Sequence, residues 1–294
     1  MSRYECAVVT DGLAAIDMHV HIETDGHGHA SLPPDLAQAA AAYFRAGDVL
    51  PDLDSVAAYY RQREMAAVVF TVDAETSLGH PPLDSAAIAE GASRNNDVLI
   101  PFGSVDPHRP DALERIHRLI DEAGVRGFKF HPTVQAFDPS EQRWYPLYQA
   151  MAEAGVPALF HTGQTGIGAG MPGGRGLRLG LSNPMLLDPI AADFPELQII
   201  MAHPSVPWQD EALSIATHKS NAWIDLSGWS PKYFPESLVR AANTVLKDRV
   251  IFGSDFPLFT PERWLRDAES TALRSDVMPG ILKDNAARLL GLTV

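Results

Sequence analysis

Short apolar runs recur along the chain, and between them lie stretches in which apolar positions return every three or four residues. The runs predict strands at Ala15–Ile22, Ala67–Asp73, Val98–Val105, Val125–His131, Val156–His161, Leu197–His203, Ala222–Leu226 and Arg249–Asp255. The helical periodicity predicts Pro34–Arg45, Asp54–Met65, Leu83–Arg94, Asp111–Ala123, Glu141–Ala154, Pro184–Ala192, Trp208–His218, Glu236–Leu246, Pro261–Leu273 and Gly280–Leu290. Strands this uniformly apolar need cover on both faces, which is the condition of a parallel sheet. Eight strands, each followed by a helix, within 294 residues favour an α/β protein with a closed (β/α)8 TIM barrel over an open sheet. The expectation is one domain over residues 1–294, since no linker, low-complexity tract or short-period repeat interrupts the pattern. The connection from Glu23 to Leu50 stands out by its length, and connections that long in compact domains are usually functional.

Composition narrows the partners. With 37 acidic against 23 basic residues the formal net charge is −14, which argues against a nucleic-acid partner. A single cysteine, Cys6, leaves no internal disulfide. No apolar run approaches the roughly 18 residues of a membrane span, and the first residues lack the basic-then-apolar pattern of a secretory signal. The expectation is a cytoplasmic protein that acts on a small molecule.

The barrel reading gives weight to the polar residues that end the apolar runs, because active sites in this fold are built at the carboxyl ends of the strands. His19 and His21 end the first run, Lys129 and His131 the fourth, His161 the fifth, His203 the sixth and Asp255 the eighth. Asp17, His19 and His21 alternate and so should share one strand face, where two imidazoles about 6–7 Å apart can reach one ion of zinc type. Any one of these histidines alone reads more readily as a satisfied core residue. Five histidines and an aspartate at one rim do not, because each would need its own buried partner.

The motifs IDMHVH (16–21), GFKFHP (127–132), FHTG (160–163), MAHPS (201–205), FGSDFP (252–257) and LKDNAARLLG (282–291) resemble the metal-dependent amidohydrolase superfamily. The resemblance is to the branch that includes aminocarboxymuconate-semialdehyde decarboxylase and the resorcylate decarboxylases, and it spans nearly the whole chain in the family's order. It implies that His19, His21, His161 and Asp255 ligate one divalent metal, zinc first and manganese as the alternative, with His203 as the catalytic histidine. Three imidazoles and a carboxylate also suit zinc on chemical grounds, with a position left open for water or substrate. Binuclear members carry a carboxylated lysine on strand four. Here Lys129 would either form such a bridge, serve as a cation for a substrate carboxylate, or pair structurally with Asp17 or Asp73; the second reading is adopted.

The main expectation is a hydrolase in which a metal-activated water attacks a small, carboxylate-bearing, ring-derived substrate. Asp255 would take the water proton and His203 would stabilise the oxyanion or protonate the leaving group. The alternative on the same residues is non-oxidative decarboxylation of an aromatic or muconate-type acid; a metal-free lactonase or a non-catalytic binding protein stand behind it. Lys129, His131, Arg175 and Arg178 are the candidate substrate-binding residues for an anionic ligand, the arginines lying on a glycine-rich loop that reads equally as a lid or a solvated surface loop. Trp208, Trp223, Trp229 and Tyr233 would either wall an aromatic pocket or pack in the core, and Lys232 is a further candidate anion contact. His27, His29, His80, His108, His117 and His218 read as surface residues. A homodimer is expected from related enzymes alone.

Overall fold

The computed structural model describes residues 3–44 and 52–292. Eight parallel strands are seen among them: β1 (Ala15–His21), β2 (Met65–Phe70), β3 (Leu99–Pro101), β4 (Phe128–Phe130), β5 (Ala158–His161), β6 (Ile199–Ala202), β7 (Ala222–Asp225) and β8 (Val250–Ile251). They run in sequence order as β1-β2-β3 and β4-β5-β6-β7-β8. The two arcs join at Gly103, whose N–H donates to Gly127 O (2.9 Å) while its carbonyl accepts from Lys129 N–H (2.8 Å). The ring closes where Met18 N–H donates to Phe252 O (3.0 Å) and His21 N–H to Phe256 O (2.7 Å). The closed (β/α)8 barrel is therefore as expected.

Alternation explains the two cores. In β4 the rings of Phe128 and Phe130 belong to the layer between strands and helices, with Tyr148, Met151 and Ile190. The opposite parity fills the barrel interior with Ala66, Val68, Phe70, Leu159, Ile200, Trp223 and Ile251. The helix Asn285–Leu290 contributes Ala286, Ala287 and Leu290 to the same interior cluster. Helices cover the strands as expected, several of them shorter than their periodicity predicts; the helix from Pro34 is described to Phe44, and the predicted end at Arg45, like the last part of the Glu23–Leu50 connection, lies outside the described residues.

The strict alternation expected for β1 fails. Its register against β2 shifts between Asp17 and Val20, as a bulge does when it re-aims side chains beside a site. Ile16 and Met18 pack in the barrel interior, whereas Asp17 accepts from Tyr60 Oη (2.7 Å) on the outer helix Leu53–Arg61. Asp17 thus does not share the face of His19 and His21. It also accepts from Ser254 N–H (2.8 Å) and Ser254 Oγ (2.5 Å), tying β1 to the turn that presents Asp255.

Candidate metal centre and active site

The interior parity that supplies core residues lower in the barrel supplies polar ones at its carboxyl end. His19 Nε2 lies 3.2 Å from both His21 Nε2 and Asp255 Oδ1, and His21 Nε2 lies 3.2 Å from the same Asp255 oxygen. His203 Nε2 is 3.0 Å from His161 Nδ1. Ligand atoms of His19, His203 and Asp255 all fall within 4.8 Å of one another, as one metal ion requires. His161 Nε2 is buried with no hydrogen-bond partner, the condition of a donor that awaits a cation. The residue set fits a divalent metal on that ground, and the compact donor cluster differs from the expected one in two respects: it includes His203, expected as the catalytic histidine only, and it leaves His21 and His161 beside it.

The backbone here is strained where side chains must converge. His203 and Asp255 have positive φ angles of 70° and 76°, a region non-glycine residues rarely occupy outside functional turns. Two glycines make room. A Cβ on Gly253 would sit 2.3 Å from Asp225 Oδ1, and one on Gly228 would sit 2.6 Å from His203 Nδ1.

Electrostatics keep the imidazoles neutral. Burial above all, then neighbouring positive groups, lowers the pKa of His19, His131 and His161 well below the usual value. Burial lowers His203 to about 4 against the opposing pull of Asp255. Burial works to raise Asp255, but the hydrogen bond from His21 and the charges of His203, His21 and Lys129 outweigh it and hold the carboxyl below its usual range. The site is therefore a set of lone pairs around one ionised carboxylate, ready for a cation.

Above the donors opens a cavity walled by Ile22, Leu32, Val72, Val134, Ile167, Trp229 and Leu258, with His21, His131, His161, His203 and Asp255 at its polar end. Of the four expected substrate-binding residues only His131 lines it; its ring stacks on His161 at 3.8 Å. Lys129 is fully buried beneath the donors, its Nζ 3.1 Å from His19 Nε2 and 5.1 Å from the Phe70 ring centre. It contacts neither the cavity nor Asp17 or Asp73. Arg175 is exposed and pairs with Asp35 at 2.7 Å, and Arg178 is exposed outside the cavity. Lys232 pairs with Asp267 at 2.7 Å. Of the aromatic cluster Trp229 walls the cavity, Trp223 is core, and Tyr233 is exposed. None of the six other histidines lines the cavity; His29 and His80 stack on each other at 5.3 Å.

One functional position was missed from the sequence. Asp225, at the end of β7, is fully buried with Oδ2 2.6 Å from His19 Nδ1. Its signal was present: it is the acid at an interior-facing place in the apolar run Ala222–Leu226, level with Ala202 and Ile251.

The family model described as Amidohydrolase matches residues 16–292. Among solved structures, an uncharacterised TIM-barrel protein from Bordetella bronchiseptica has 21% identity and a TM-score of 0.73, over 94% of this chain and 98% of that one. The 5-carboxyvanillate decarboxylase of Novosphingobium aromaticivorans, complexed with manganese and 4-hydroxy-3-methoxy-5-nitrobenzoic acid, has 16% identity and a TM-score of 0.67 over 99% and 100%. A 2,6-dihydroxybenzoate decarboxylase from Rhizobium has 16% identity and a TM-score of 0.67 over 95% and 99%. No curated protein matches the chain in sequence. Among the described residues no helix is long and apolar enough to cross a membrane.

Proposed function

Because the chain belongs to the amidohydrolase family, we propose that it is a metal-dependent, non-oxidative decarboxylase of a small aromatic acid, of the hydroxybenzoate kind. The observation that carries this reading is the position of the donor cluster, which forms the polar end of a cavity whose walls are apolar and include the face of Trp229. A planar ring fits between such walls, and its carboxylate would then lie against the donors. The names of the decarboxylase neighbours support the same reading over the hydrolysis expected from the motifs.

His19, His203 and Asp255 would hold the ion, with His21 and His161 adjoining, and manganese has at least as much support as zinc. A divalent ion there would polarise the substrate carboxylate and a neighbouring ring oxygen. Asp255, kept ionised, accepts the proton of the ring hydroxyl. The same proton passes to the ring carbon as the bond to the carboxylate breaks, its electron pair staying on that carbon and carbon dioxide departing; solvent reprotonates the phenolate on release. The apolar walls exclude water from the ring carbon while this occurs.

The test supplies the manganese-loaded protein with hydroxybenzoates and, in parallel, with aromatic lactones, each labelled in the carboxyl carbon, in water enriched in oxygen-18. Release of labelled carbon dioxide with no heavy oxygen in the organic product supports the proposal. An organic product that retains its carboxylate and gains heavy oxygen replaces it with hydrolysis.

A further inference from the structure

Behind the donor cluster lies a second layer of hydrogen bonds. Asp225 Oδ2 contacts His19 Nδ1 (2.6 Å) and Ser227 Oγ (2.8 Å), while Asp225 Oδ1 accepts from Ser227 N–H (2.9 Å). Ser227 Oγ is also 3.0 Å from both His19 Nδ1 and His203 Nδ1. His203 Nδ1 is 3.0 Å from the carbonyl of Ser227. Asp225 and Ser227 are fully buried, and so is His19.

We propose that Asp225 and Ser227 form a relay that sets the ring tautomers of His19 and His203, so that each presents a bare Nε2 to the site. The assignment follows from which groups can only accept and which can only donate. A carbonyl oxygen only accepts, so His203 Nδ1 carries the proton and Nε2 does not. Ser227 N–H donates to Asp225 Oδ1 and Ser227 Oγ to Oδ2, which fixes the side chain as an acceptor although burial pushes its carboxyl up to about 8, and the 2.6 Å contact of Oδ2 then puts the proton of His19 on Nδ1. Lys129 Nζ, a donor, lies 3.1 Å from His19 Nε2 on the far side of the ring and needs a lone pair there. Both ends of His19 thus favour one tautomer, and the shorter contact, to Asp225 at 2.6 Å, decides it. Neither Asp225 nor Ser227 lines the cavity, so their role is positioning, exerted through the imidazoles.

The relay rests on the metal reading of the site, but it predicts a proton position that can be read without metal. In Asp225→Asn the side chain must keep its oxygen toward Ser227 N–H, because a backbone amide cannot become an acceptor. Its NH2 then faces His19 Nδ1, and the imidazole must move its proton to Nε2, where a metal cannot bind. We expect the long-range proton–nitrogen NMR spectrum of the nitrogen-15 histidine-labelled, metal-free variant to show His19 as the Nε2–H tautomer. Its dissociation constant for manganese(II), from the paramagnetic signal of the free ion, should rise about 10- to 100-fold. Ser227→Ala, which leaves Asp225 in place and adds no polar group, is expected to keep the His19 tautomer and to weaken manganese about 3- to 10-fold; it serves if the Asn variant does not fold. An unchanged His19 tautomer in Asp225→Asn, or wild-type manganese affinity in both variants, overturns the relay. Failure of the wild-type protein to bind either manganese or zinc overturns the metal reading instead, so the two failures are distinct.

Discussion

Asp17 shows how a buried acid can be costly in isolation and still be placed with care. Burial outweighs the hydrogen bonds from Ser254, Tyr60 and His19 and raises its pKa from 3.8 to about 6. A folded-state pKa above the unfolded one means that the native protein holds its proton longer. The associated stability is complete below pH ~4 and is lost as pH rises through about 6, by at most about 3 kcal/mol for a shift of about two units. The difference in unfolding free energy between wild type and Asp17→Asn should therefore change by that order between pH 4 and 6.5; a flat difference would remove the assignment. At Gly253 the argument is steric. A methyl 2.3 Å from Asp225 Oδ1 has rigid neighbours on three sides, so Gly253→Ala should destabilise by about 2–3 kcal/mol and weaken metal binding, read by thermal melting and by metal content. At this scale the sequence was legible wherever a polar residue ends an apolar run: His19, His21, His161, His203 and Asp255 do come together. It was not legible where the signal was charge alone. Lys129 and Arg175 have nearer partners in His19 and Asp35 than any substrate, and nothing in their local pattern reveals that.

The strands and their loops divide the labour differently. Strand existence and order follow from apolar runs, but several ladders are shorter than their runs, β8 being only Val250–Ile251, because His131, His203 and Asp255 leave the ladder to aim side chains at the site, whereas His21 and His161 stay in it. Period-two reasoning for β1 failed at the bulge, which no apolar pattern announces. The loop after β5 was read as either a lid or a solvated loop, and the structure gives it part of both characters. Gln164, Thr165, Gly166 and Ile167 line the cavity, while the following turn, Gly173, Gly174 and Arg175, holds positive φ and directs Arg175 to Asp35 at the start of the helix Pro34–Phe44. That helix brings Tyr43 to the opposite lip. The ion pair thus bridges two cavity-lining segments. An exposed pair contributes at most about 1 kcal/mol to stability, so Arg175→Ala should leave the melting temperature nearly unchanged while raising KM about 3- to 10-fold with kcat retained. Equal KM values would mean that the loop is positioned without the pair.

Across the whole molecule the neutral histidines outweigh every other titration. His19, His131, His161 and His203 are each depressed by burial, and unfolding restores them to about 6.5. The unfolded chain then binds up to four more protons below that pH, so stability falls as pH drops, by at most about 5 kcal/mol per unit. Asp17, Asp73 and Asp225, all raised by burial, oppose this with at most about three quarters of the slope, and acidification also relieves the self-repulsion of a chain carrying −14. Four buried imidazoles against three raised carboxyls decide the sign: acid should unfold the metal-free protein between pH 6 and 4, even though its net charge is then approaching zero. A bound ion acts in the same direction, because its ligands must be unprotonated. Manganese at about 100 times its dissociation constant adds about 2.7 kcal/mol, which for a chain of this size raises the melting temperature by roughly 4–5 °C and moves the acid midpoint lower. His19→Ala should abolish both displacements while still folding at pH 8. If wild type melts within a degree with and without manganese or zinc, the donor cluster is a buried polar network with no resident ion, and the decarboxylase reading falls with it.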